Sequence, residues 1–332
     1  MTRILTIILN YKTAEMTLQS AEAALREMEG IDGEIVIVDN ASGDGSFNVM
    51  QDHVTAQSWS RVRVVQSGRN GGFGAGNNVG LQLGLSNGDA PDFYYVLNSD
   101  AFPDKGSISA LLRYLKAHPE VGFAGSYIHG PKGDPHLTTF RFPSIASELE
   151  SAARFGPISR FLAKYRVPID VPDETREVDW LAGASLMMRR EVLEEIGLFD
   201  ETFFLYFEET DLCRRAKEAG WPTVFVRESA VTHIGSVSTG MKTWARMPQY
   251  WFDSRVHYFA KNHGWLYAVI ATKAHVFGGL LWRFRRLVQR KPKADPEHFL
   301  RDMIVHDTRQ LLRPARSADV PLLNASKLVG ED

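Results

Sequence analysis

The sequence predicts an α/β protein: a mostly parallel sheet flanked by helices, followed by a helical C-terminal extension. Within residues 1–125, short apolar runs alternate with stretches of helical spacing. Polar residues occur repeatedly where the apolar runs end, and after about residue 238 the pattern is helical and rich in Trp, Phe and Arg. Strands that alternate with helices favour a parallel sheet, which binds ligands at the carboxyl ends of its strands.

The elements are assigned from these patterns in chain order. The first part predicts strands at residues 4–9, 33–40, 61–67 and 92–98. It predicts helices at residues 13–28 and 77–86, and a further helix and strand within 105–126. Residues 130–179 have prolines and no stable period, which is typical of a binding loop or a disordered segment. Regular structure resumes with a strand and short helix in 178–200, a helix in 208–221 and a strand in 223–235.

Composition indicates an ordinary globular protein of 332 residues, with 44% hydrophobic and 23% charged residues. A formal net charge of -2 gives no reason to expect a nucleic-acid partner. The single cysteine, Cys213, excludes an intrachain disulfide and suits a reducing cytoplasm. The N-terminal apolar run has the length of a strand and lacks the features of a signal peptide. We therefore expect a cytoplasmic protein, with peripheral contact at the inner face of the cell membrane left open.

The segment Trp265–Lys291 bears on that question, since it is apolar but contains Lys273 and His275 before a basic cluster. A spanning helix is not expected, because a mid-span Lys costs about 2.5–3.5 kcal/mol on insertion scales. A helix on the membrane surface and a helix packed on its own domain or on a second subunit, as in a homodimer, both remain open. Surface contact would use Trp282, Arg283, Phe284, Arg285, Arg286, Arg290 and Lys291.

Polar residues at the predicted strand ends are the first functional signal. They are Asn10, Asp39, Asn40, Asn98 and Asp100. Taken alone, the Asp39-Asn40 pair in "VDNASGDGS" is more typical of a turn than of a ligand site. The glycine-rich "RNGGFGAGNN" (residues 69–78) suits a loop that cradles a ligand, but its spacing fits neither a dinucleotide fingerprint nor a phosphate-binding Gly-Lys-Ser/Thr loop.

Two further groups of residues suggest chemistry. In "LNSDAFP", Asp100 offers a carboxylate to a hard divalent cation, Mg²⁺ or Mn²⁺, and His233 is a candidate second ligand, although a lone His is more often structural. In "FFLYFEETDLC", three carboxylates begin a helix: Glu208, Glu209 and Asp211. Negative charges stabilise the N-terminus of a helix, which alone would explain the three residues. A carboxylate that packs against apolar surface can also have a raised pKa and serve as a general base.

Seven segments in order carry a family resemblance. They are "ILNYK", "VDNASGDGS", "RNGGFGAGNN", "LNSDAFP", "WLAGASLMMRREV", "GLFDETFFLYFEETDLCRRAKEAGW" and "VTHIGSVST". Together they resemble the family 2 glycosyltransferases with a GT-A fold, and within that family the bacterial rhamnosyltransferase-like branch. The resemblance spans roughly residues 3–240 and does not reach the C-terminal third. It implies a metal-dependent, inverting transfer of a sugar from a nucleoside diphosphate sugar to an acceptor hydroxyl.

The resemblance also implies roles for individual residues. Glu209 would be the base, with Glu208 or Asp211 as alternatives, and Asp100 and His233 would bind the metal. The nucleotide-sugar site would comprise Asn10, Tyr11, Asp39, Asn40, Arg69, Asn70, Gly72, Phe73, Gly74, Asn77, Asn98, Ser99 and Asp100. The acceptor side would include Trp180, Gly183 and Ala184. Two departures stand out: Asn98 replaces the first Asp of the family's Asp-x-Asp, and Glu209 replaces the usual Asp of the base pair.

These expectations set the predicted organisation and function. Residues 1–238 would form the catalytic domain, with a nucleotide-sugar-binding half (1–125) and an acceptor and catalytic half (126–238), and residues 239–332 a helical extension. The branch favours dTDP-rhamnose as donor and a glycan or lipid-linked acceptor in cell-surface polysaccharide synthesis. A UDP-hexose or UDP-galactofuranose donor is the alternative, and a non-catalytic nucleotide-sugar-binding relative is a further one. A nucleotidyltransferase is disfavoured, because the first strand ends in Asn10-Tyr11-Lys12 and not in a basic Gly-rich loop.

Overall fold

The protein is described from a computed structural model that covers residues 2–235, 244–293, 295–312 and 320–323. Within these residues the main sheet has nine strands, and a second sheet has two. The strands are β1 (Arg3–Asn10), β2 (Asp32–Asp39), β3 (Val62–Gln66), β4 (Phe93–Asn98), β5 (Ala101–Pro103), β6 (Phe123–His129), β7 (Thr139–Phe140), β8 (Arg176–Val178), β9 (Trp180–Leu181), β10 (Ser185–Arg189) and β11 (Thr223–His233).

Eleven α-helices connect and follow these strands in the described part of the chain. They are α1 (Ala14–Glu27), α2 (Ser46–Ala56), α3 (Gly72–Leu83), α4 (Ser107–Ala117), α5 (Ile145–Ala153), α6 (Gly156–Phe161), α7 (Arg190–Ile196), α8 (Glu208–Glu218), α9 (Gln249–His263), α10 (Trp265–Gln289) and α11 (Phe299–Leu311). The predicted mixture of a mostly parallel sheet, flanking helices and a helical C-terminal part is confirmed.

The main sheet has the strand order β3-β2-β1-β4-β10-β6-β11-β5, with β8 paired to β11. Strands β3, β2, β1 and β4 are parallel, β10 is antiparallel to both neighbours, and β11 is parallel to β6. The register sets Asn10 beside Asp39, and Leu9 beside Asn98. Parallel strands end at one edge, so the polar residues after β1, β2 and β4 share that edge.

Two apolar layers bury the sheet, because alternate side chains of a strand point to opposite faces. On one face Ile4 and Ile8 pack with Leu18 of α1 and Ile108 of α4. On the other face Leu5 and Ile7 pack with Leu81 of α3, Val192 of α7 and Leu212 of α8. Covering helices on both faces explain why β1 and β2 read as continuous apolar runs.

The predicted ligand loop at residues 69–78 is partly wrong, because helix α3 already begins at Gly72. Its glycines allow the helix to approach the sheet closely. A Cβ on Gly76 would lie 2.5 Å from Leu9 Cδ1, and one on Gly80 would lie 2.7 Å from Ile7 Cγ2. The glycine run therefore serves helix–sheet packing as well as the loop before it.

Residues 130–179 are more regular than the sequence indicated, since they contain β7, α5, α6 and β8. Helix α5 begins with a capping box in which Ser144 and Ser147 bond each other's backbone N–H groups. Its far end meets α10, where a Cβ on Gly278 would lie 2.9 Å from Ala152 Cβ. This segment therefore supports the C-terminal helices.

A buried ionic network ties those helices to α5. Arg255 of α9 donates to Glu148 of α5 at 2.6 and 3.0 Å and to Asp307 of α11 at 3.0 Å. His275 of α10 contacts the same Glu148 oxygen at 2.7 Å. Burial alone would raise the pKa of Glu148, but Arg255 and His275 lower it to about 2. The carboxylate is thus charged and paired, and it fixes α9, α10 and α11 to one another.

The predicted division at residues 125 and 126 falls inside β6, while the predicted boundary at residue 238 lies outside the described residues. Among the helices that the structure describes, none combines the length and the apolar character needed to cross a membrane.

Candidate active site

The ends of β1 and β2 form a buried polar cluster centred on Asp39. Its Oδ1 accepts hydrogen bonds from Asn10 Nδ2 at 2.8 Å and from Ser42 Oγ at 2.5 Å. The amide oxygen of Asn10 accepts in turn from Thr17 Oγ1 at 2.8 Å and from the backbone N–H of Thr13 at 3.2 Å. Both Asn10 and Asp39 are almost fully buried, so these bonds fix their side chains at the sheet edge.

Asn40 links this cluster to the start of α3. Its Nδ2 donates to Asn70 Oδ1 and to the Gly72 carbonyl, each at 3.1 Å, and its own buried amide oxygen has no partner among the described residues. Gly72 has φ +89°, and a Cβ there would overlap the carbonyl oxygen of Phe204. The same carbonyl accepts from Phe73 N–H at 3.0 Å. A glycine is therefore required where α3 touches the segment that leads to Glu208.

A second cluster lies where β4 and β11 end. His233 Nε2 is 3.0 Å from Asp100 Oδ1 and 3.4 Å from Asn98 Nδ2, and in the part of the chain that the structure describes the buried Asn98 amide oxygen has no partner. Ser99 joins the first cluster, since its Oγ accepts from Thr13 Oγ1 at 3.4 Å. The predicted pair of metal ligands therefore lies together. Within the described ranges, no three His, Cys, Asp or Glu side chains converge on a common point.

The acidic pair Glu208 and Glu209 opens helix α8 after a strained turn. Tyr206 and Phe207 both have positive φ, 69° and 70°, which bulky residues rarely adopt. Such strain is concentrated at functional sites. One oxygen of each glutamate, Oε2, is buried with no hydrogen-bond partner in the described structure.

Burial sets the protonation of this pair. It raises the pKa of Glu208 well above 4.5, and repulsion from Glu209 adds to the rise. Burial also raises the pKa of Glu209, while the backbone N–H of Gly183 opposes that rise. Gly74 of α3 faces Glu208, because a Cβ on that glycine would lie 3.6 Å from Glu208 Cβ. The glutamates therefore stand between α3 and the β9–β10 turn, with a proton affinity suited to a base.

Asp211, the third candidate base, has another environment. It is fully buried and accepts from Arg215 Nε at 2.9 Å, Lys261 Nζ at 2.8 Å and Asn262 Nδ2 at 3.1 Å. Lys261 also donates to Asp200 at 2.9 Å. These bonds attach the first turn of α8 to α9, and they give Asp211 a positioning role.

The predicted acceptor-side residues lie in and around the β9–β10 turn. Trp180 stacks on Phe140 with ring centroids 4.1 Å apart. A Cβ on Gly183 would lie 3.0 Å from the ring of Phe73, and the Ala184 carbonyl accepts from Asn98 N–H at 3.1 Å. This turn therefore connects the glutamate pair to the Asn98–Asp100 cluster.

Three residues of the predicted nucleotide-sugar site lie outside the two polar clusters. Two of them are close to the protein surface, and the third is in helix α3. Arg69 pairs with Glu201 at 2.7 Å, and its side chain is 66% exposed. Tyr11 is partly buried beside Lys12, whose Nζ lies 5.2 Å from the ring centroid. Asn77 donates to the Phe73 carbonyl at 2.9 Å, and no described residue bonds its buried amide oxygen.

Several contributing residues are missed by the sequence reasoning. Thr13 and Ser42 hold Asn10 and Asp39, and the position of Ser42 three residues after Asp39 is a local turn signal. Lys261 and Asp200 have no such signal, because they meet Asp211 only in the folded chain.

The fold and the polar strand-end clusters define a GT-A glycosyltransferase. Residues 2–274 match the profile of the family described as glycosyltransferase-like family 2, and the chain belongs to that family. It is similar to an N-acetylglucosaminyl-diphospho-decaprenol L-rhamnosyltransferase of Mycobacterium tuberculosis, with 31% identity over 70% of this chain and 76% of the relative. It is also similar to the rhamnosyltransferase WbbL of Escherichia coli, with 28% identity over 45% of this chain and 55% of that protein.

A solved structure supports the fold. The mannosyltransferase PcManGT from Pyrobaculum calidifontis, in complex with GDP-Man and Mn²⁺, aligns with a TM-score of 0.54 over 93% of this chain and 87% of that one, at 12% identity. The predicted family, branch and GT-A fold are confirmed.

Proposed function

We propose that the protein transfers L-rhamnose from dTDP-rhamnose to a hydroxyl of a glycan or lipid-linked acceptor, with inversion at the anomeric carbon. The sugar is taken from the two relatives, both named as rhamnosyltransferases. The acceptor class is taken from the mycobacterial relative, whose name specifies a sugar linked through diphosphate to decaprenol. Transfer to such an acceptor would serve cell-surface polysaccharide synthesis.

The observation that carries this proposal is the environment of Glu209. Among the described residues, its Oε2 is buried and has no hydrogen-bond partner, and the pKa of the carboxyl is raised by burial. A carboxylate with one unbonded oxygen and a raised pKa is able to take a proton from an acceptor hydroxyl as that hydroxyl oxygen attacks the anomeric carbon. Attack from the face opposite the leaving diphosphate inverts the configuration in one displacement. Asp211 is assigned no proton transfer, since three donors already bond it.

The nucleotide end of the donor is assigned to the first polar cluster. Asn10 and Asp39 stand at the edge where parallel strands bind ligands. Asn40 and Asn77 each have a buried amide oxygen that no described residue bonds, and such an oxygen suits a hydrogen bond from an N–H or O–H group of the nucleotide sugar. Tyr11, Asn70 and the first turn of α3, with Phe73 and Gly74, would complete this part of the site.

A divalent cation fits the second cluster. Asp100 and His233 are in contact, and the buried Asn98 amide oxygen beside them has no partner within the described ranges. A site with carboxylate, amide and imidazole ligands suits Mn²⁺, whereas Mg²⁺ prefers ligands that are all oxygen. We assign the ion to Asp100 and His233, and Asn98 to its surroundings. When bound, the cation would supply a positive charge that neutralises the leaving diphosphate.

A panel of nucleotide sugars tests the donor assignment. The full chain is incubated with dTDP-rhamnose, UDP-glucose, UDP-galactose, UDP-galactofuranose and GDP-mannose, each with Mn²⁺ or Mg²⁺, and thermal shift and release of nucleoside diphosphate are measured. The proposal expects dTDP-rhamnose to give the largest stabilisation and the fastest release. Preference for a UDP-linked sugar would keep the enzyme class and overturn the donor. Absence of turnover with every donor and with lipid-linked acceptors would support a binding-only relative.

A further inference from the structure

Helix α10 has an exposed apolar stripe along one face. Its apolar members are Leu266, Ile270, Phe277, Leu280, Phe284 and Leu287. When Lys273, which lies on the same face, is counted with them, neighbours are three or four residues apart. Phe277, Phe284 and Leu287 are 63%, 66% and 71% exposed. The opposite face, with Ala268, Ala271, Gly278 and Trp282, is buried. The helix is therefore apolar on both faces, and in the described part of the chain only the inner face is covered.

The charged residues of α10 and the four residues that follow it are all basic. Residues 265–293 contain seven Lys and Arg residues and no Asp or Glu, in a chain whose formal net charge is -2. Most of the basic residues cluster at the C-terminal end of the stripe, where Arg283, Arg290 and Lys291 are exposed. Asp295, the next acidic residue, is already paired with Arg154 at 2.7 Å. This end of α10 is therefore a concentrated positive surface beside exposed aromatic side chains.

The structure revises which side chains face outwards. Trp282 is buried, and Arg285 donates to the carbonyls of Ala153 and Arg154, so neither belongs to the exposed surface expected from the sequence. Helix α6, which follows α5, has a further exposed aromatic residue with basic neighbours in the sequence. Phe161 is 85% exposed there, with Arg160 beside it and Lys164 following.

We propose that the outer face of α10 docks on a bilayer of anionic phospholipid. The apolar stripe would enter the boundary between headgroups and acyl chains, while Arg283, Arg290 and Lys291 contact lipid phosphates. A second copy fits this face less well. Two copies of residues 265–293 would bring fourteen positive charges together, and this segment has no acidic residue to offset them. Docking goes beyond the proposed sugar transfer and needs neither donor nor acceptor.

Co-sedimentation of the full chain with vesicles tests this docking. Vesicles of phosphatidylcholine mixed with phosphatidylglycerol are compared with vesicles of phosphatidylcholine alone, at low and high salt. The wild type should bind the anionic vesicles and be released by salt. Phe277→Glu/Phe284→Glu should reduce partitioning more than tenfold. Arg283→Glu/Arg290→Glu should do the same, since each basic residue near an anionic surface contributes roughly a fivefold factor.

Matched controls carry the same changes elsewhere on the surface. Val49→Glu/Leu83→Glu alters exposed apolar residues of α2 and α3, and Arg113→Glu/Lys116→Glu alters exposed charges of α4. Both should bind like the wild type, and circular dichroism should show all variants folded. Docking is overturned if the wild type stays in the supernatant, or if the α10 variants bind as the controls do. A wild-type dimer that Phe277→Glu/Phe284→Glu dissociates would assign the face to a second copy.

Discussion

The imidazole Nε2 of His233 lies 3.0 Å from the carboxylate Oδ1 of Asp100, although the two residues are 133 positions apart in the chain. The backbone reinforces the contact, since Ile234 N–H donates to the Asp100 carbonyl at 3.1 Å. Asp100 follows β4 and His233 ends β11. Two strands from different halves of the sheet thus bring a carboxylate oxygen and an imidazole nitrogen to one point, and both are ligand types that bind divalent cations.

Replacement of either partner should remove metal-dependent turnover. Asp100→Asn and His233→Ala should each lower the rate of sugar transfer by roughly a hundredfold and raise the Mn²⁺ concentration required for half-maximal rate. Titration of Mn²⁺ into chelator-treated enzyme measures both quantities. Asp173→Asn, an exposed carboxylate of the same type, should behave like the wild type. Full activity in excess chelator, with Asp100→Asn unaffected, would contradict the metal assignment.

Gly72 should be far less replaceable than Gly43, another glycine of positive φ. Gly72→Ala meets both the left-handed conformation and an overlap with the Phe204 carbonyl, so it should lower the free energy of unfolding by about 3 kcal/mol or more. Gly43→Ala has φ +68° and no atom within 4 Å of the new Cβ, so about 1–2 kcal/mol is expected. Urea denaturation compares the two, and equal losses would show that the Phe204 contact is not tight.

Stability should fall in mild alkali because of His306. Burial alone would lower its pKa, but hydrogen bonds to Asp253 and Asp307 raise it to about 9. The protonated ring therefore stabilises the fold fully below pH 6.5, its unfolded pKa, and this stabilisation is lost as the pH rises towards 9. A shift of this size contributes up to about 3 kcal/mol.

Melting temperatures between pH 6 and 9.5 measure this effect. The wild type should lose stability over that range more steeply than His306→Gln, whereas His118→Gln, a surface histidine, should keep the wild-type slope. Parallel slopes for the wild type and His306→Gln would mean that His306 is not held in its charged form.

Much of the sheet edge was predictable, because each contributing pattern is local. Apolar runs that end in Asn10, Asp39, Asn98 and Asp100 predict strands and their polar ends, and parallel pairing then brings those ends to one edge. The glutamates at the start of α8 were equally visible as acidic residues after an aromatic run.

What the sequence did not indicate depends on contacts between distant segments. Helix α3 begins inside the glycine run because the sheet and the Phe204 carbonyl lie close to it. The charges of Asp211, Asp200 and Lys261 are balanced only after α9 packs beside α8. Helix α5 begins with a capping box that has Ser147 at N3, where the usual sequence signature has Glu or Gln, so its start was not indicated either.

Substitution of each of the two adjacent glutamates tests which of them is the general base. Glu209→Gln should lower kcat by roughly 10²–10⁴-fold, because the acceptor hydroxyl loses the group that takes its proton. Glu208→Gln should retain more activity, and Glu218→Gln, at the exposed far end of α8, should match the wild type. The acid limb of the wild-type pH profile should lie above pH 4.5, since burial raises the pKa of Glu209.

The most direct measurement is transfer of rhamnose from dTDP-rhamnose to a lipid-linked sugar acceptor, with donor affinity determined in parallel by calorimetry. The account predicts that the wild type makes the product. It also predicts that Glu209→Gln binds the donor with nearly unchanged affinity but forms almost no product. Near-normal product formation by Glu209→Gln would contradict the assignment of the base. Failure of the wild type to transfer sugar from any donor would contradict catalysis altogether.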